Sequence, residues 1–199
     1  MDTYDVNTVF SSIDRKGRYA YGNQPQITGW NVARFAESLL PLLDDDIEQA
    51  VKIAQQKLDE YSKYFSTFWL SGMRHKLGLT SEEQEDQQLI KSLLQMMEKY
   101  EADYTNTFRA LASSNRPNTA LFLSNEWKEW EQAWQKRLER QDATFEQVQP
   151  MMNRSNPAVI PRNHRVEEAL AAAVNDGDYR VMHKLLEVLA SPYELSQEN

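Results

Sequence analysis

Apolar residues recur along this chain at helical spacing, in blocks separated by glycines, prolines and acidic clusters. From Ile27 to Leu43, the positions Trp30, Ala33, Ala36, Leu40 and Leu43 share one face, and Phe35 and Leu39 widen it. Pro41 has no N–H to donate, so a kink or an end is predicted there. Asp44-Asp45-Asp46 supplies an N-cap for the next helix and negative charge where the helix dipole favours it. Ile47, Val51, Ala54, Leu58, Tyr61, Phe65 and Phe68 then mark one long amphipathic face to about Trp69, with Gly72 and Gly78 bracketing a break. Thr80 followed by Glu83 spells a capping box ahead of Leu89, Leu93, Met96, Met97 and Tyr100. Phe108 and Leu111 predict a short helix, closed by Ser113-Ser114-Asn115-Arg116-Pro117.

Trp127, Trp130, Trp134 and Leu138 form one face of a further helix, with Lys and Glu on much of the other. Val166, Leu170 and Ala173 predict a helix ending at Asn175-Asp176-Gly177. Tyr179, Met182, Leu186 and Leu189 predict its partner, which Pro192 stops. No convincing period-two strand pattern occurs. The expectation is an all-α fold of six to eight helices, with residues 1–25 irregular around Gly17, Gly22 and Pro25 and a helical domain over 26–199.

Composition narrows the function classes. With 199 residues, 41% hydrophobic and 26% charged, the chain is long enough for a sizeable core and too apolar for disorder. A net charge of −8 works against nonspecific nucleic-acid binding, which needs clustered Lys and Arg. The absence of cysteine excludes disulfides, zinc-thiolate sites and thiol nucleophiles within this chain. No apolar run approaches the ~20 residues that span a bilayer, and the N-terminus has no signal-peptide pattern. A cytoplasmic protein without membrane or nucleic-acid partners is expected.

Candidate chemistry is sparse. His75, His164 and His183 have no second ligand at i+3 or i+4, and no Ser-His-Asp order, phosphate-binding glycine loop or Walker lysine occurs. The tryptophan stripe reads as packing surface, and the run Glu82-Glu83-Gln84-Glu85-Asp86 reads as a solvated face. Asp14 stands apart, three residues before Gly17 and beside Arg15, Lys16 and Arg18. Two readings stay open for it: Asp14 or Asp5 pairs with a nearby Arg to fix the loop, or Asp14 and Arg18 border a phosphate- or metal-bearing cleft. Asn156-Pro157 and Ile160-Pro161 form two restrained elbows holding Arg162, Asn163 and His164 at the start of a helix, with Asn163 the predicted N-cap. The elbow serves either capping and loop packing or contact with another lobe.

Several strings together resemble the C-terminal half of the selenoprotein O family. They are Gly17-Arg18-Tyr19, Gln24-Pro25, Trp30-Asn31 with Arg34, Asp103 through Leu111, Asn156 through His164 with Val166-Glu167, and Pro192-Tyr193. The resemblance implies the C-lobe portion of a protein-kinase-like fold that transfers AMP from ATP to Ser, Thr or Tyr of proteins. It also implies that the residues binding ATP and Mg²⁺ precede the point matching Met1. No catalytic, nucleotide-binding or metal-binding role then falls on this chain, and Gly17, Tyr19, Gln24, Pro25, Trp30, Asn31, Asn156, Pro161, Arg162, Asn163 and His164 serve as structural motif. Where relatives often carry Asn-His-Ser-Asp, this chain reads Ser11-Ser12-Ile13-Asp14, which keeps only the Asp. On this reading the partners are a missing N-terminal nucleotide-binding lobe and protein substrates, with self-association through an exposed lobe interface. The expected chain is inactive alone. The alternatives are a stand-alone helical protein-interaction module and, behind it, a hydrolase using scattered carboxylates.

Overall fold

A computed structural model describes residues 2–113 and 116–194. Every regular element among them is helical, as the periodicity predicts. The chain divides into two compact units, Asp5–Ser71 and Met1–Tyr4 with Gly72–Asn199.

In the first unit, an irregular stretch passes through a 3-10 turn at Tyr21–Asn23 into α1 (Gln24–Leu43), which carries Pro25 in its first turn. Proline is tolerated there because its missing N–H would lack a helical partner anyway. The helix runs through Pro41 and ends two residues later. Asp46 caps α2 (Ile47–Asp59) by accepting from the Glu48 N–H at 2.9 Å, as predicted. α2 and α3 (Tyr61–Leu77) are separate helices meeting at Glu60, where the sequence pattern reads as a single face. α1 packs on α2. Gly29 meets the Tyr61 ring so closely that a Cβ there would stand 3.0 Å from Cε1, and the Tyr61 hydroxyl donates to the Pro25 carbonyl at 2.8 Å. A side chain at that point would press the Tyr61 ring outward by a few tenths of an ångström.

The second unit holds α4 (Asp86–Lys99), α5 (Tyr104–Leu111), α6 (Ala120–Leu123), α7 (Asn125–Leu138), α8 (Phe145–Ser155), α9 (Asn163–Asp176) and α10 (Arg180–Leu189). Ten α-helices among the described residues exceed the six to eight expected, because the α2–α3 break, α6 and α8 were not separately legible. The Thr80–Glu83 capping box does not form: the Glu83 N–H is taken by Asp86 Oδ2 at 2.9 Å and the Thr80 N–H by Gln141 Oε1 at 3.0 Å. A capping box does form at Thr144–Gln147, opening α8. Gly72 lies inside α3 and makes no break, whereas Gly78 terminates that helix. Of the predicted closure after Leu111, Ser114 and Asn115 lie outside the described residues.

The core of this unit gathers on the tryptophan face of α7. Trp127, Trp130 and Trp134 are buried, with Trp130 and Trp134 stacked at 5.8 Å between ring centroids. Their indole N–H groups donate to the Leu89 carbonyl at 2.8 Å and the Leu77 carbonyl at 2.9 Å, so α7 is tied to α4 and to the end of α3. This is the packing role the stripe predicts, with the polar edge of each ring satisfied as burial demands. α9 ends as predicted at Gly177, which adopts the left-handed conformation (φ 64°), and α10 packs back on α9.

Candidate functional site

Within residues 5–71, the candidate loop is organised by Asp14. Its Oδ1 accepts from the Arg18 N–H at 2.9 Å and its Oδ2 from the Tyr19 N–H at 2.7 Å. Asp14 therefore does fix the loop, but through backbone amides, not through an arginine side chain. With Gly17 in the left-handed conformation (φ 64°), the chain turns sharply between Asp14 and Ala20. Asn23 Nδ2 holds the Gly17 carbonyl at 2.8 Å, and Gln24 Nε2 holds the Tyr19 carbonyl at 2.6 Å. The Arg18 guanidinium lies over the Trp30 ring at 4.5 Å and near Tyr19 at 5.7 Å, while Arg34 approaches Trp30 from elsewhere at 5.4 Å. Arg18, Asn23, Gln26, Ile27 and Trp30 line a shallow depression of about 300 Å³. Asn31 is exposed on α1.

Replacing Asp14 with alanine removes two charge-assisted backbone bonds. The expected result is a local loss of about 1–2 kcal/mol, since both bonds are exposed to solvent. Faster hydrogen exchange at the Arg18 and Tyr19 amides, with helix amides elsewhere unchanged, is the measurement; unchanged exchange at those two amides would refute the assignment.

In the other unit, the predicted elbow is a junction of five chain segments. Asn156 is fully buried; its Nδ2 donates to the Lys76 carbonyl at 2.9 Å and its Oδ1 accepts from Lys76 Nζ at 3.3 Å. Lys76 Nζ also donates to the Ser155 carbonyl at 2.8 Å and lies 5.4 Å from the centre of the Phe108 ring. Burial pushes the Lys76 ammonium below its ordinary pKa. Arg109 donates to the Asn153 carbonyl at 3.2 Å and the Asn156 carbonyl at 3.0 Å, capping the end of α8, and burial lowers its pKa as well. Arg162 pairs with Asp103 at 2.6 Å and with Asp2. Burial opposes the Arg162 charge, but the bonds to Asp103 and Asp2 outweigh it and raise the pKa. The hydrogen bond from Arg162 holds the Asp2 carboxyl below its ordinary value. Past Pro157, the Ala158 and Val159 N–H groups both donate to the Pro192 carbonyl, at 2.7 and 3.2 Å. Tyr4 closes the junction, donating its N–H to the Ala102 carbonyl at 2.8 Å and stacking on Tyr104 at 5.6 Å.

One detail differs from expectation. Asn163 is the first residue of α9, not its N-cap; Arg162 occupies the cap position, with its side chain engaged by carboxylates. Pro161, Asn163 and His164 are exposed.

A third arrangement escaped the sequence reading. Asp86 is completely buried, not solvated, and accepts from Arg74 Nε and Arg137 Nε, each at 2.7 Å, besides the Glu83 N–H. Arg137 Nη2 reaches the Ser81 carbonyl at 2.8 Å, and its Nη1 lies 3.2 Å from Glu83 Oε1 without hydrogen-bond alignment. Burial raises the Asp86 pKa, but the bonds from Arg137, the Glu83 amide and Arg74 outweigh it and lower the value overall. The signal in the sequence was Arg137 itself, three residues after Trp134 and so on the apolar face of α7.

None of these arrangements is a metal centre: among the described residues no three His, Asp or Glu groups converge. Asp14 has each oxygen bound to an amide, and Asp86 is closed off by two guanidinium groups. Neither carboxylate is thus placed to hold magnesium beside a triphosphate. Among the described residues no helix is long and apolar enough to cross a membrane.

A family model described as "Protein adenylyltransferase SelO" matches residues 1–190. The chain belongs to the SelO family. It is 61% identical over 198 residues to the protein nucleotidyltransferase YdiU of Geobacillus kaustophilus, covering 100% of this chain and 41% of that protein. It is 59% identical over 193 residues to the protein of that name from Bacillus cereus (strain ATCC 10987 / NRS 248), covering 97% and 40%. This chain thus spans about two fifths of the curated SelO-family relatives it matches. Its SelO-like strings gather within each unit, residues 17–34 around Trp30 in one and residues 103–111, 156–164 and 192 around Asn156 in the other.

Proposed function

We propose that this chain is the C-terminal helical part, a kinase-like C-lobe portion, of a cytoplasmic SelO-type enzyme that transfers AMP from ATP to Ser, Thr or Tyr hydroxyls of proteins. The observation that carries the reading is a family match across residues 1–190 in a chain that spans only 41% of a relative named for nucleotidyl transfer. Phosphoryl-type transfer rests on positioning phosphates and divalent metal, and Asp14 and Asp86 are committed to amides and guanidinium groups. The nucleotide-binding lobe, with ATP and Mg²⁺, is then supplied by the remainder of the enzyme. This chain contributes a helical platform and does not transfer AMP alone.

Calorimetry of this chain with ATP and Mg²⁺ is expected to give a dissociation constant of about a millimolar or weaker, because isolated exposed cation contacts contribute only ~0–1 kcal/mol each. An assay for labelled AMP on a generic protein acceptor is expected to show no transfer. A micromolar constant, or transfer that disappears in Asp14→Ala, would overturn the reading.

A further inference from the structure

Arg15, Lys16 and Arg18 are exposed and make no ion pair among the described residues, in a protein whose net charge is −8. The one carboxylate among them, Asp14, is occupied by the Arg18 and Tyr19 amides. Arg34 provides the contrast, since it also touches Trp30 but is paired with Glu37 at 2.6 Å. Three cations within four residues are thus unpaired with any carboxylate among the described residues. Beside them Tyr19 and, on α1, Trp30 are each 47% exposed. The Arg18 guanidinium lies over Trp30 and has no hydrogen-bond acceptor among the described residues, so its N–H groups can still serve a bidentate acceptor.

From this juxtaposition we propose that Arg15, Lys16 and Arg18, with the Tyr19 and Trp30 rings, form a docking site for an acidic segment of a protein substrate. The proposal rests on the reading of this protein as a modifier of protein hydroxyls and names a substrate class for it: hydroxyl-bearing segments flanked by Asp or Glu. Charge complementarity favours a short acidic peptide over a nucleic acid. Three cations within four residues match a few carboxylates, whereas a duplex presents phosphates over a length that the acidic remainder of the chain would repel. The exposed ring faces suit the aliphatic stems of neighbouring Glu or Leu side chains.

The test is fluorescence anisotropy of a labelled Glu-Asp-Glu-Ser-Glu-Asp-Glu peptide with this chain, without nucleotide. The lysine counterpart of the peptide and a duplex DNA oligonucleotide are run beside it. The acidic peptide is expected to bind and the lysine peptide not. Arg18→Gln is expected to weaken binding about tenfold, the loss of charge-assisted bonds, and the exposed Lys52→Gln control to leave it unchanged. The double variant Arg15→Gln/Lys16→Gln alters side chains outside the loop's hydrogen-bond network and is expected to weaken binding similarly, which guards against a folding artefact in Arg18→Gln. A shift of the Trp30 indole resonance on titration completes the expected pattern. Absence of acidic-peptide binding, undiminished binding in both folded variants, or tighter binding of the DNA would overturn the proposal. Because no nucleotide enters the measurement, failure of the AMP-transfer reading with this binding intact would sink only the enzymatic reading.

Discussion

Asp86→Ala is expected to destabilise the helical unit by about 3–5 kcal/mol, because it leaves two guanidinium groups in a dry environment without their shared carboxylate. Arg137 is 2% exposed and Arg74 8%, so neither can recover its hydration by a small movement. Glu83 and Glu82 remain nearby, but the Glu82 side chain is 77% exposed and offers Arg74 only a solvent-screened contact. Thermal unfolding followed by circular dichroism is expected to shift down by roughly 10 °C. The pH dependence has a definite sign. The folded-state pKa of Asp86 is lowered, so its contribution is fully present above the ordinary carboxylate value of 3.8 and disappears as pH falls through the depressed one. Asp86→Ala is therefore expected to flatten the acid limb of stability below about pH 4. A wild-type-like midpoint in Asp86→Ala would show that the two arginines find other partners.

Gly78→Ala carries the second large effect, and a paired variant separates its causes. Gly78 ends α3 in a left-handed conformation (φ 75°), with its N–H donating to the His75 carbonyl and the Leu79 N–H to the Arg74 carbonyl. That is a Schellman termination, with the buried Leu79 as its hydrophobic anchor. A Cβ at Gly78 would stand 2.8 Å from Met152 Sδ and 3.0 Å from Val148 Cγ2, both on α8. Left-handed strain of about 1–2 kcal/mol and overpacking of about 1–3 kcal/mol sum to roughly 2–5 kcal/mol. Gly177 has nearly the same backbone conformation (φ 64°) with nothing within 4 Å of its would-be Cβ. Gly177→Ala is therefore expected to cost only the backbone part, about 1–2 kcal/mol. Chemical denaturation of both variants measures the difference; equal losses would mean that Met152 and Val148 move aside freely.

The periodic faces were legible because burial on one side is written directly into the spacing of residues such as Trp127, Trp130 and Trp134. Caps made by a side chain on its own turn were also legible where nothing competed, as at Asp46. Competition is what the sequence could not rank. Thr80–Glu83 and Thr144–Gln147 have the same form, yet only the second closes, because Asp86 and Gln141 take the amides of the first. The break at Glu60 carries no Gly or Pro, so no local signal marks it, although Tyr61 just beyond it packs on Gly29. In the candidate loop, the role of Asp14 was half legible: a fixing carboxylate was foreseen, its backbone partners were not. Asp86 was hidden by its acidic neighbours, since the two arginines that bury it lie 12 and 51 residues away.

The indole anchors on α7 carry a mechanical consequence. Trp130 and Trp134 stand one turn apart, and each grips a main-chain oxygen of a different segment, at Leu89 and Leu77. An axial slip of α4 past α7 would pull the Leu89 oxygen off its indole, at a cost of about 1 kcal/mol. Shear, the usual low-cost motion between packed helices, is thereby opposed along this seam, and the indole bond favours one register of α4 on α7.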